Sequence, residues 1–237
     1  MTAFPQILAR LLGTDPGRPL ITYYDDATGE RTELSVTTWA NWVAKAGSLL
    51  ADELELEPAN RLLVDLPAHW LGTVVLGAAW STGLEVVWEG DHDAVVTGPA
   101  GLEQWAPYAA DVPVVATALT PMAGRFEGGV PDGVHDLGVE VWSQPDSFVP
   151  VQPPTDDDLA VAGTTHGVLW GAASSGELLA EGGRLLSEAN PASPTGLASL
   201  TEPLTRRGSL VLARNADERR LEQIAATERV TARCGPG

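Results

Sequence analysis

The sequence predicts an α/β protein: a three-layer arrangement around a mostly parallel sheet. Three observations carry this expectation. Short apolar runs with the character of buried strands alternate with stretches whose apolar residues recur at helical spacing. The alternation repeats at the interval of βαβ units, which places helices on both faces of a sheet. Hydrophobic residues make up 44% of the 237 positions, enough for a sizeable core and too many for wholesale disorder.

Taken in order, Phe4, Ile7, Leu8, Leu11 and Leu12 predict an amphipathic helix over Thr2–Leu12. The stretch GTDPGRP (13–19) is loop chemistry. Leu20–Tyr24 and Arg31–Leu34 flank the turn-rich DDATGE and read as a β-hairpin. Ser35 or Thr37 can cap a helix running to about Leu54, with Trp39, Trp42, Val43, Ala46, Leu49 and Leu50 on one face. RLLVDLP (61–67) is a strand, Ala68–Ser81 a helix ended by Gly83, and LEVVW (84–88) the next strand. DAVVTG (93–98) and PVVAT (113–117) are further strands, with a short helix near Trp105 between them.

Residues 119–158 are the least regular, and VPVQPPTDDD (149–158) is the best linker. The chain is therefore expected to form one compact unit, 1–237, or two closely packed lobes, 1–150 and 155–237, joined there. Beyond it, LAVAG (159–163), GRLLSE (183–188) and GSLVLAR (208–214) are strands. Gly167–Leu179, Pro194–Arg206 and Ala216–Glu228 are the intervening helices.

Charge narrows the partners. Fourteen Lys+Arg against 32 Asp+Glu give −18, a field that repels nucleic acid and anionic membranes, so neither is expected as a partner. Lys45 is the only lysine. Cys234 is the only cysteine, so no intramolecular disulfide can form and a reducing compartment is expected. The first residues read as an amphipathic helix and not a signal peptide, and no apolar run approaches a membrane span. Together these predict a soluble, cytoplasmic protein.

The segments from Thr32 to Trp88, with Arg61, Leu66, Pro67, Gly77, Ala78 and Gly83 at characteristic points, resemble the opening of the AMP-forming acyl-CoA synthetase and adenylate-forming superfamily. TDDDLAVAGTTHGV (155–168) resembles that family's strand and phosphate loop, and 184–231 the segment that follows it. The similarity covers roughly Leu34 to Thr231, and within the superfamily it is strongest to a short actinobacterial group.

What the resemblance implies is specific. Adenylation needs a glycine- and hydroxyl-rich loop whose N–H groups cradle ATP phosphates with cationic help. The matching positions are Gly163, Thr164, Thr165, His166 and Gly167, a degenerate phosphate loop. The family's lysine and proline are absent there, and the loop is shorter by a few residues. His166 would be a partial cation only, being mostly neutral at pH 7. The family's later motifs and its catalytic lysine lie beyond the sequence's end at CGPG, and Lys45 cannot replace that lysine. The resemblance thus implies a truncated, non-catalytic homologue with no catalytic residue, and ATP or AMP is not expected as a cofactor. Such a homologue would act by binding a protein partner or small ligand. A component of a split adenylate-forming enzyme with residual nucleotide or acyl binding, and a purely structural protein, are the alternatives. Truncation would leave an apolar face or bare edge beside the last βα unit, so a homodimer or protein complex is expected through the region from Gly208 onward.

Other clusters carry blander expectations. His69, His92, His135 and His166 lack metal-ligand spacing, and no metal is expected. His92 between Asp91 and Asp93 reads as an acidic turn. Asp156, Asp157 and Asp158 read as a solvated linker edge. Ser174, Ser175 and Gly176 do not form a hydrolase elbow. The tryptophans read mostly as core, with Trp42 and Trp70 as candidates for an interface.

Overall fold

A computed structural model describes residues 3–235. Helix α1 (Phe4–Thr14) has proline in its first turn and buries Phe4, Ile7 and Leu11. The predicted first residue, Thr2, lies outside the described residues. Strands β1 (Pro19–Asp25) and β2 (Glu30–Ser35) form the expected antiparallel hairpin. Helix α2 (Val36–Ser48) starts where the Ser35 hydroxyl accepts from Thr38 N–H at 3.1 Å. It does not run on to Leu54 as an α-helix, because Leu49–Glu53 widen into one π turn.

Strand β3 (Arg61–Asp65) leads to α3 (Trp70–Thr82), in which every residue is buried. Gly83 ends it in the left-handed conformation, φ 80°. Strands β4 (Glu85–Val87) and β5 (Ala94–Thr97), the short helix α4 (Leu102–Trp105) and β6 (Val114–Ala116) follow. Within the irregular stretch lie β7 (Val134–Asp136) and α5 (Leu137–Glu140), neither anticipated. The rest is β8 (Leu159–Val161), β9 (Thr164–Thr165), α6 (His166–Ser175), β10 (Arg184–Ser187), α7 (Ala198–Thr205), β11 (Ser209–Arg214), α8 (Glu218–Thr227) and β12 (Ala232–Cys234).

Two sheets result. One has five strands in the order β12-β10-β11-β1-β2, the other seven in the order β7-β6-β5-β3-β4-β8-β9. Every pairing is parallel except β1 with β2 and β8 with β9. The segment 149–158 does not divide them. The N-terminal hairpin joins the five-stranded sheet through β1–β11, and β8 with β9 completes the sheet of the first half.

Strand alternation sorts side chains between faces. Leu210 and Leu212 of β11 and Leu62 and Val64 of β3 point into one shared core with α1, α2, α3, α6 and α7. Val211 and Ala213 face α8 on the far side, while Leu63, Val95 and Val114 face α4. Each sheet is therefore covered on both faces, and the two sandwiches share a central helical layer. Gly77 permits the close approach of α2 to α3, since a Cβ there would sit 2.6 Å from Val43 and 3.1 Å from Trp39.

A polar cluster fastens the five-stranded sheet to the end of α8. Glu228 Oε1 accepts from Tyr24 Oη at 2.5 Å and from Arg31 Nη2 at 2.9 Å, and its other oxygen accepts from Arg184. Among the described residues, no helix is long and apolar enough to cross a membrane. Among the described residues, the exposed large apolar side chains fall between Leu12 and Val168. In the stretch from Gly208 onward, β12 covers the edge of β10 and leaves its own three-residue edge open.

Candidate functional site

The predicted phosphate loop is a tight hairpin followed at once by a helix. Strand β8 turns through Ala162 (φ 40°) and Gly163 (φ 77°) into β9, and Thr165 caps α6 by accepting from Val168 N–H at 3.4 Å. Its N–H donors, which would face phosphate, point at the protein itself. Gly163 N–H donates to Glu85 Oε1 at 2.6 Å, His166 N–H to Asp158 O at 2.9 Å, and Gly167 N–H to Asp156 O at 2.8 Å. The Asp156–Asp158 turn thus does more than edge a linker, because its carbonyls hold the start of α6. The Asp158 carboxylate also accepts from Thr155 N–H and Oγ1, which hold it below the usual carboxylate range.

Glu85 is the residue that the sequence reading missed. Its side chain is 3% exposed, and its second oxygen accepts from Arg61 Nε at 3.1 Å. The available signal was a carboxylate opening the otherwise apolar run Leu84–Trp88. Arg61, Glu85, Ala162 and Gly163 line an open cleft of about 670 Å³ together with Trp88, Leu159 and Pro194. Trp88 Nε1–H donates to Ala192 O at 2.7 Å and so ties β4 to the loop before α7. Gly163 lines the cleft, but His166, the first residue of α6, is fully buried and does not.

His166, expected to be mostly neutral at pH 7, is driven further toward the neutral form by its surroundings. Trp170 Nε1–H donates to its Nδ1 at 3.1 Å, so that nitrogen carries no proton. Burial pushes the imidazole down to about 4, against the opposing pull of Asp158 and Asp156. A folded-state value below the unfolded one means that unfolded chains bind more protons between those values. His166 should therefore make stability fall as pH drops from about 6.5 to about 4. NMR titration should show its ring neutral at pH 5.5, and a shift centred near 6.5 would refute the burial argument.

The remaining candidates stay apart. His69 caps α3, its Nδ1 accepting from Leu71 N–H at 3.2 Å. His92 packs edge-on to Trp105, and His135 pairs with Glu140 at 3.0 Å. Among the described residues, no group of three or more His, Cys, Asp or Glu is placed to hold a metal. Trp70 is buried, whereas Trp42 packs on the half-exposed Trp142.

No family profile matches the chain. It is 37% identical to a TIGR03089 family protein of Mycobacterium tuberculosis, over 95% of both chains. Among solved structures, a Brucella canis acyl-CoA synthetase superposes with TM-score 0.80 at 20% identity, covering 99% of this chain and 47% of that one. Coronafacic acid ligase from Pectobacterium brasiliense gives 0.78 at 10% identity, over 99% and 50%. A fatty acyl CoA synthetase of M. tuberculosis gives 0.71 at 14%, over 96% and 48%. The fold is thus that of the N-terminal region of acyl-CoA synthetases, and the chain spans about half the length of these solved enzymes.

Proposed function

The chain belongs to the TIGR03089 family, and from that premise we propose that it is a non-catalytic counterpart of the synthetase N-terminal region, acting in the cytoplasm by binding a protein partner or a small ligand. One observation carries this reading: the Glu85 carboxylate already occupies the Gly163 N–H that a phosphate would need. A nucleotide entering the cleft would meet that buried carboxylate and lose to it. Arg61, the nearby cation, is itself engaged with Glu85, and electrostatic stabilisation is most of what phosphoryl and adenylyl transfer asks of a protein.

Calorimetry with ATP and AMP should show no binding up to millimolar concentration, and pyrophosphate exchange with carboxylic acids should stay at background. Saturable, salt-sensitive binding of ATP that is lost when Gly163 is replaced would overturn the reading. The open cleft favours one second reading, that of a split adenylate-forming enzyme in which a separate chain supplies the missing groups. Acyl-adenylate analogues that bind this cleft without ATP affinity would support it.

A further inference from the structure

The segment joining α5 to β8 does not behave as a bare linker. Phe148 anchors it to α2, where a Cβ on Gly47 would lie 3.4 Å from its ring. The residues after it are presented outward, with Val149 84% and Val151 99% exposed. Among the described residues, no backbone group from Ser147 to Pro153 has a hydrogen-bond partner. The stretch bends at Val151 and Gln152, so it offers its two valines as an exposed apolar ledge.

Opposite it stands a wall of different chemistry. The π turn and the chain after it bring Asp52, Glu55 and Glu57 to the same cleft, which Leu56, Pro58 and Phe148 also line and whose volume is about 480 Å³. The side chains of those three acids make no ion pair or hydrogen bond among the described residues. Glu55 and Ala59 hold left-handed backbone, φ 53° and 70°, so the wall has a defined shape. Such strain in non-glycine residues gathers at functional sites. No Lys or Arg lines the cleft.

The geometry points to this cleft as a docking site for an extended protein segment in which apolar side chains alternate with lysine or arginine. The occupant follows from charge and shape together. The apolar lining, with Val149 and Val151, takes the apolar residues, and the unpaired carboxylates take the basic ones. This is the partner-binding half of the reading above and rests on it. The two fail separately, because nucleotide titration reads the Glu85–Gly163 cleft and the following test reads this one.

The probes are three labelled nine-residue peptides alternating Lys with Leu, Glu with Leu, and Lys with Gly. The Lys–Leu peptide should bind roughly ten-fold or more tightly than either control, since it alone has both positive charge and apolar area. Val149→Ser with Val151→Ser should weaken it by a similar factor, and both side chains are exposed enough for the fold to be kept. Asp52→Asn, Glu55→Gln and Glu57→Gln should remove most of its salt dependence. Equal binding of the Lys–Leu and Lys–Gly peptides would overturn the inference by showing mere attraction to an acidic protein. Affinity unchanged by the serine pair would overturn it too. A dimer by light scattering that the serine pair converts to monomer would give the face to a second copy instead.

Discussion

Glu228→Ala should destabilise the protein by about 3–5 kcal/mol, the cost expected when one partner of a buried ion pair is removed. The carboxylate is 7% exposed and is shared by Tyr24, Arg31 and Arg184, which come from three strands of one sheet. Without it, Arg184, itself largely buried, keeps its charge and loses its counterion. Acid should erase part of the difference. Burial pushes the Glu228 carboxyl up, but the hydrogen bonds from Tyr24, Arg31 and Arg184 outweigh it, and the group sits below the usual glutamate range. A depressed folded-state value gives stabilisation that is complete above the unfolded value and lost as pH falls through the folded one. Urea denaturation at pH 7 and again below pH 4 should therefore show the gap between wild type and variant narrowing. A gap that is small at pH 7, or constant with pH, would show that the cluster contributes little.

Phe4→Ala should cost a similar amount, about 3–5 kcal/mol, by the cavity it leaves. Its ring lies 6.0 Å from Trp39 in an edge contact, 5.5 Å from Trp80 and 5.8 Å from Trp170 in a stacked one. All four residues are fully buried, and Trp80 and Trp170 meet edge to face at 5.0 Å. The three tryptophans come from α2, α3 and α6, so one side chain of α1 closes the central helical layer. Lower denaturant resistance with a red-shifted tryptophan emission is the expected pair of results. An unchanged midpoint would mean that the layer repacks without α1.

The sequence revealed elements wherever local pattern is enough. The hairpin of β1 and β2, the α3 helix with its Gly83 stop, and the strands around Leu62 and Val211 all have a clear period or a strong terminator. Strands β7 and β12 have neither, being three residues long and specified only by the neighbours β6 and β10. The π turn after α2 was hidden because its residues keep the apolar spacing of a helix. The segment 149–158 has the composition of a linker, while sheet membership is decided by pairing across the chain. At the candidate site, the loop was legible from its glycines and threonines. Its defining partner was not, because Glu85 lies 78 positions before Gly163 and no local rule connects them. The neutrality expected of His166 at pH 7 is deepened by burial, which composition does not report.

The pairing of β1 with β11 sets an order on folding as the ribosome delivers the chain. Asp25 and Asn215, hydrogen-bonded at the ends of these strands, are 190 positions apart. At ordinary synthesis rates the first hairpin waits roughly 10–40 s for its neighbour. During that time Leu20, Ile21 and Tyr23, all fully buried in the finished sheet, have β2 on one side and no native strand on the other. Contacts of such long sequence separation also slow refolding in solution. The nascent hairpin is thus the part of this molecule most exposed to misassembly and most in need of chaperone cover until β11 emerges.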